Sequence, residues 1–258
     1  MTTLGIIQVR LDSTRLPSKA LLPVMGRPML GLLYERMARA KSLDRLVIAT
    51  SVEPSDAPIL DFARGAGLEA YAGSKLDLVD RFKQGIEAYR ADKLVLVTGD
   101  CPLVDPDLVD RAVALLADSP GVDMVTNAAT FTWPDGLDVM AFPAASVLRA
   151  WDQIADPVWR EWVVAYMRDN PNEFCVRNFE SDEDLSRFRW TVDYADDYEF
   201  VQHVYHELYP VNPTFTTRDI LDLLERKPEL LDINAGHIAN EGYDIMMASQ
   251  RAEQKTER

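Results

Sequence analysis

Three histidines and two cysteines are all that this 258-residue chain carries of either type. Cys101 and Cys175 stand far apart, which excludes a disulfide framework and a cysteine-built zinc site. His203 and His206 are three apart on an expected helix with no further ligand in view, so a surface or subunit-contact role is expected of them. Long apolar runs are missing too: none approaches a membrane span, and no charged-then-apolar leader opens the chain. A reducing cytoplasm is the expected compartment, with no membrane partner. Positive charge is in short supply, 27 Lys and Arg against 42 Asp and Glu, a net −15. Such a chain offers no basic face for sequence-independent binding to nucleic acid. The glycine signatures of phosphate binding, GxxxxGK[ST] and GxGxxG, do not occur, and neither does an internal repeat or a low-complexity tract.

What is present is apolar content, 47 %, enough for a full core. In the first half, apolar runs suited to buried parallel strands fall at 4–9, 46–49, 94–97 and 122–126. Amphipathic helical patterns lie between them at 29–40, 78–90 and 106–118; Asp105 suits the N-cap of the last and Pro106 its first turn. Strand and helix in alternation predict an α/β fold, a mainly parallel sheet covered on both faces. Ligands then bind beyond the carboxyl ends of the strands. The second half is less regular. A turn and strand are expected in "TWPDGLDVMAFP", one helix in "DPVWREWVVAYMRDN", and two strands in "NEFCVRNF" and "SRFRWTVDY". Helices follow at 195–209 and 217–226. Residues 1–247 are expected to form a single domain, with an acceptor or dimer arm at about 133–180 and a frayed charged tail at 248–258.

Three post-strand segments carry polar chemistry. "QVRLDSTRLPSK" (8–19) concentrates Arg10, Arg15 and Lys19 with hydroxyls in one loop that has no glycine. Arginine forks and a lysine point charge suit a polyphosphate. Taken alone, the loop is equally a solvated basic segment paired with acidic neighbours. "TGDCP" places Asp100 after the 94–97 strand, where a carboxylate suits Mg²⁺ on a nucleotide phosphate or caps the next turn. "TVDYADD" presents Asp193, which helix capping explains less well than it explains Asp196 and Asp197.

Together, "QVRLDSTRLPSKAL", "ATS", "GSKLDLVDRF", "TGDCPLVDP", "TNAATFTWPDGLDV", "WRE" and "TVDYADD" resemble the nucleotide-sugar cytidylyltransferases, in particular the SpsF-like branch related to the acylneuraminate and Kdo enzymes. The resemblance runs from about residue 5 to about 197. It implies a Rossmann-like, three-layer nucleotidyltransferase fold, transfer of CMP from CTP with Mg²⁺, and a homodimer. By position it implies that Arg10, Ser13, Arg15 and Lys19 hold the triphosphate, with Thr98 also at the nucleotide. Asp100 and Asp193 would hold Mg²⁺, and Ser74, Asp80 and Arg81 would lie in the nucleotide-recognition segment. Asn127, Asp135, Asp138, Arg160 and Glu161 would face the acceptor. Arg10, Arg15, Lys19 and Asp100 are the candidate catalytic set.

The sequence departs from the family pattern at Leu96, Met140, Trp162 and Val164, where that pattern usually has Arg, Glu, His and Thr. The nucleotide end is kept while the acceptor end turns apolar. Three readings stay open. One is CMP transfer from CTP to an acidic sugar or a related small phosphorylated or carboxylated acceptor. The second is a glycosyltransferase using a nucleotide-sugar donor, and the third a non-catalytic nucleotide-binding homologue.

Overall fold

The computed structural model describes residues 1–238 and Glu241; the expected frayed tail at 248–258 lies outside them. The chain begins with β1 (Thr3–Gln8), a small hairpin of β2 (Pro23–Val24) and β3 (Arg27–Pro28), α1 (Met29–Met37), β4 (Arg45–Ser51) and α2 (Ala57–Ala66). It continues with β5 (Ala70–Gly73), α3 (Leu78–Tyr89), β6 (Lys93–Thr98), α4 (Pro106–Ala117) and β7 (Met124–Thr126). Then come β8 (Met140–Pro143), α5 (Ala144–Gln153), α6 (Pro157–Glu161), α7 (Val163–Asp169), β9 (Val176–Asn178), α8 (Ala195–Leu208) and α9 (Thr217–Arg226). The seven-stranded central sheet has the order β5-β4-β1-β6-β8-β7-β9. Within it β8 alone runs antiparallel to its neighbours.

The apolar runs follow from burial on both faces. Side chains alternate across a strand. Ile7, Ile48, Val95 and Val97 point into the core under α1, α2, α4, α8 and α9. Leu4, Ile6, Val47, Ala49, Leu94 and Leu96 point into the core under α3, α5 and α7. A strand covered on both sides shows no polar alternation, which is why β1, β4 and β6 read as near-continuous apolar runs. The result is helix, sheet, helix in three layers.

The helix starts follow local chemistry. Asp105 caps α4 by accepting from Asp107 N at 3.0 Å, with Pro106 in the first turn. Asp77 caps α3 by accepting from Asp80 N at 2.8 Å. A second oxygen of Asp105 accepts from Thr217 N and Oγ1 at 2.8 and 2.6 Å, fastening α9 to α4.

Several expectations need correction. β5, α2 and α5 have no counterpart in the sequence reading. The single helix expected in "DPVWREWVVAYMRDN" is two, α6 and α7, broken at Trp162 (φ −110°, ψ 39°). "SRFRWTVDY" is no ladder strand: an isolated bridge, Asp135 to Arg189, is all it forms with another strand-like segment. Trp190 N instead donates to Asp135 O at 2.7 Å and Val192 N to Asp100 O at 2.8 Å. The segment is an extended loop laid across the strand ends, and its buried Phe188, Trp190 and Val192 mimic a strand pattern. Within residues 133–180, β8 and β9 join the central sheet and α5 packs against α3.

Candidate active site

From β1 the chain moves to one side of the sheet, to β4 and β5, then returns to place β6 on the other side of β1. Such a switch point leaves a crevice at the carboxyl ends of the two strands. There β1 ends at Gln8 and β6 at Thr98, and both line a cleft of about 790 Å³. Gly99 N donates to Gln8 O at 2.8 Å. A Cβ on Gly99 would stand 2.6 and 2.7 Å from Val9 side-chain carbons. The glycine is needed for the approach of one strand end to the other.

The basic loop is braced from behind. Leu11 N donates to the buried Asp56 Oδ1 at 2.7 Å, and Ser51 Oγ donates to the other oxygen of the same carboxylate. Ser18 takes a left-handed conformation (φ 57°) and its N donates to Leu11 O, closing the loop on itself. Ser13 Oγ accepts from Leu16 N at 3.3 Å. These contacts present Arg10, Arg15 and Lys19 along one wall of the cleft.

Lys19 is the centre of the arrangement. Its buried ammonium donates to Asp100 Oδ2 at 2.9 Å, Asp193 Oδ1 at 2.8 Å and Val192 O at 2.7 Å. Burial pulls this group's pKa down, but the two carboxylates outweigh it and hold it above the usual lysine range. Burial likewise opposes ionisation of Asp100, and Lys19 more than compensates, so its carboxyl titrates below the usual range. Arg15 pairs with Asp193 at 2.9 Å and with Glu241 at 2.6 Å. Arg10 donates to Lys75 O at 3.0 Å and to Glu161 Oε1 at 3.1 Å.

Asp193 is held by a group that the sequence reading passed over. Buried Arg189 donates to Asp193 Oδ2 at 3.2 Å, Asp197 Oδ1 at 2.9 Å, Asp135 Oδ2 at 3.3 Å and Ile238 O at 2.9 Å. Asp197 in turn accepts from the backbone N of Asp193 and Tyr194, both at 3.0 Å, at the start of α8. Nothing in the spacing of "RWTVDYADD" announces this knot, because an arginine four residues before an aspartate outside a helix has no defined geometry. Asp56 was equally silent, because the backbone it braces, at Leu11, lies 45 residues away in the chain.

The other expected residues fall into three groups. Thr98, Ser13 and Glu161 line the cleft with the cations and with Asp100 and Asp193. Ser74, Asp80 and Arg81 are not among the residues that line it. Buried Arg81 donates through Nε to Ser74 O at 3.0 Å and through a terminal nitrogen to Lys75 O at 2.9 Å, shaping the backbone that Arg10 also grips. Ser74 Oγ accepts from Asp77 N, and Asp80 accepts from Gln84. The acceptor-side set is largely engaged in holding backbone. Asn127 donates to Leu137 O at 2.9 Å and accepts from Val139 N at 2.8 Å. Arg160 pairs with Asp77 at 2.6 Å and donates to Trp151 O and Ile154 O. Asp135 is buried against Arg189. Asp138 is half-buried, and burial together with Asp135 and Asp100 pushes its carboxyl up to about 8.

As a donor set, Asp100 and Asp193 already share one cation, the Lys19 ammonium. Two carboxylates beside a phosphate site suit Mg²⁺, which keeps water and phosphate oxygens as its other ligands. Among the described residues, no group of three His, Cys, Asp or Glu side chains forms an all-protein metal cage. His237 stacks on Tyr194 at 3.9 Å and reaches Asp196 at 2.8 Å, and His203 lies 3.9 Å from Glu199.

A switch-point crevice walled by three cations and closed by two carboxylates, Asp100 after β6 and Asp193 before α8, marks an α/β protein that handles a nucleotide polyphosphate. Comparison with known proteins makes this specific. The chain belongs to the cytidylyltransferase family, whose pattern matches residues 4–217, and is a CTP-dependent nucleotidyltransferase. It is 32 % identical over 237 residues to the uncharacterized protein MJ1063 of Methanocaldococcus jannaschii, covering 91 % of this chain and 95 % of that one. To the spore coat polysaccharide biosynthesis protein SpsF of Bacillus subtilis it is 30 % identical over 234 residues, 88 % of this chain and 95 % of that one. A solved cytidylyltransferase from Leptospira borgpetersenii superposes with a TM-score of 0.85 at 28 % identity, over 90 % of this chain and 97 % of the other.

Proposed function

We propose that this cytidylyltransferase moves CMP from CTP onto a hydroxyl of a small sugar-type acceptor, with Mg²⁺ held by Asp100 and Asp193. The observation that carries this reading is the Lys19 ammonium, fixed between those two carboxylates and flanked by Arg15 and Arg10 in the same crevice. The acceptor oxygen attacks the α-phosphorus. The bond from that phosphorus to the bridging oxygen breaks, pyrophosphate leaves with the bond's electrons, and the hydroxyl proton passes to solvent. Arg10, Arg15 and Lys19 stabilise charge gathering on the leaving pyrophosphate. Transfer of this kind is governed by positioning and charge neutralisation. When bound, Mg²⁺ would neutralise and orient the phosphates. The Bacillus subtilis relative is named for polysaccharide biosynthesis, and a nucleotide-activated sugar for polymer assembly is the product we propose here. Full-length likeness to cytidylyltransferases favours this over glycosyl transfer.

The test is pyrophosphate release from CTP and Mg²⁺ across a panel of sugar acceptors. Asp100→Asn is expected to lower the rate by about a hundredfold or more, in line with removing a group that organises transition-state charge. Asp107→Asn, at an exposed position in the first turn of α4, leaves it unchanged. An Asp100→Asn enzyme turning over within about twofold of the parent would refute the assignment.

A further inference from the structure

The cleft has a second wall with a different character. Leu96 on β6 and Met140 on β8 are register partners at the sheet surface, and both face the cleft. Trp162, at the break between α6 and α7, joins them with Val164 and Ala165 of α7 and Leu78 of α3. Behind this wall lies the apolar core under α3, α5 and α7, with which it is continuous. Trp162 and Val164 are only half-buried. They give the cleft apolar surface that no group among the described residues covers.

Charge is distributed just as unevenly. Arg10, Arg15 and Lys19 are the cations lining the cleft, against Asp12, Asp100, Glu161 and Asp193. All three cations sit on the basic loop. A triphosphate brings at least as much negative charge as those three supply. Arg10, which reaches the residue next to Trp162, is already paired with Glu161 at 3.1 Å. Arg160 is spent on Asp77 and two carbonyls, and Arg81 is buried on the backbone of residues 74 and 75. A carboxylate or phosphate placed on the apolar wall would lose its hydration without gaining a counter-charge.

From this we infer that the wall of Leu96, Met140, Trp162 and Val164 is the acceptor subsite, and that it takes an uncharged sugar bearing an acyl or alkyl substituent. The inference rests on the CTP-dependent reading for where the nucleotide lies. It replaces the acidic or phosphorylated acceptor expected from the sequence by a neutral one with an apolar face.

The experiment is a calorimetric titration of the full chain with N-acetyl-, N-butanoyl- and N-hexanoylglucosamine, and with glucuronate and glucose 1-phosphate. It is run with Mg²⁺ both without nucleotide and with saturating α,β-methylene-CTP, whose own titration is recorded. Affinity is expected to climb with acyl length, by up to about fourfold for each methylene buried, and to be weakest for the two anions. Trp162→Ala is expected to flatten that ladder. Val164→Ser, at another half-buried position, serves should the first variant fail to fold. A flat ladder, no binding of any probe, or tighter binding of either anion overturns the subsite. If α,β-methylene-CTP fails to bind while the ladder persists without it, the CTP reading falls and the subsite stands. If the analogue binds and the ladder is flat, the reverse holds.

Discussion

Arg189 shows how one buried charge can position a functional group without touching substrate. It holds Asp193, Asp197 and Asp135 together, and Asn234 adds hydrogen bonds at 2.9 Å to Asp197 and to the Arg189 carbonyl. Burial by itself would raise the Asp197 pKa, but the hydrogen bond and charge of Arg189 prevail and hold it below the usual carboxylate range. Removing the guanidinium leaves carboxylates buried without a counter-charge, a loss of about 3–5 kcal/mol. Arg189→Met is therefore expected to lower the unfolding free energy by that amount in urea titration. In whatever fraction still folds, Asp193 keeps Lys19 and Arg15 but loses its Arg189 contact; with Mg²⁺ held there as proposed, its concentration for half-maximal rate should rise. A variant as stable as the parent would show that the knot is solvated in solution.

At the level of elements, the site depends on how closely β1 and β6 converge. Both strands end in the crevice, and Gly99 lets the β6 end lie against Val9. A second glycine acts similarly below the site. Gly136 has φ +102°, and a Cβ there would stand 2.4 Å from Thr191 N. It allows the turn before β8 to pack on the loop that carries Arg189 and Asp193. Gly99→Ala is expected to cost about 1–3 kcal/mol by overpacking and to lower CTP turnover, because Asp100 moves with the strand end. Thermal unfolding and the steady-state rate check the two effects separately; an unaltered Tm would mean that the strand ends separate freely. The break at Trp162 belongs to this scale too, since an unbroken α6–α7 helix would carry that side chain past the cleft.

For the molecule as a whole, the acidic surface and the basic loop divide the labour. With 42 acidic residues against 27 basic ones, the chain gathers three cations on one loop, which favours a polyanion there and disfavours polyanions elsewhere. Ligand binding to the folded state then stabilises all of it. At CTP a hundredfold above Kd the gain is about 2.7 kcal/mol, roughly 5–10 °C in Tm for a chain of this size. UTP, ATP and GTP should give smaller shifts, and added salt should shrink the CTP shift by screening the loop. Equal shifts with all four nucleotides would place base selection outside the binding step.

Local chemistry made much of this legible. Two-sided burial wrote β1, β4 and β6 into apolar runs, and amphipathic spacing with Asp105 and Pro106 wrote α4. The helix expected near 217–226 is α9, and charge density marked the loop from Arg10 to Lys19. Four-residue β5, Ala-Tyr-Ala-Gly with no branched aliphatic side chain, left no such trace, and the alternation of Phe188, Trp190 and Val192 arose from a buried loop instead of a ladder. Neither the pairing of Lys19 with Asp100 and Asp193 nor the knot at Arg189 had any local signature. Their partners lie up to 174 residues apart in the chain, and contacts at that separation exist only once the sheet has brought its strand ends together. The same is true of the apolar wall: Leu96, Met140 and the Trp162–Val164 stretch belong to three separate segments, and folding alone turns them into one surface.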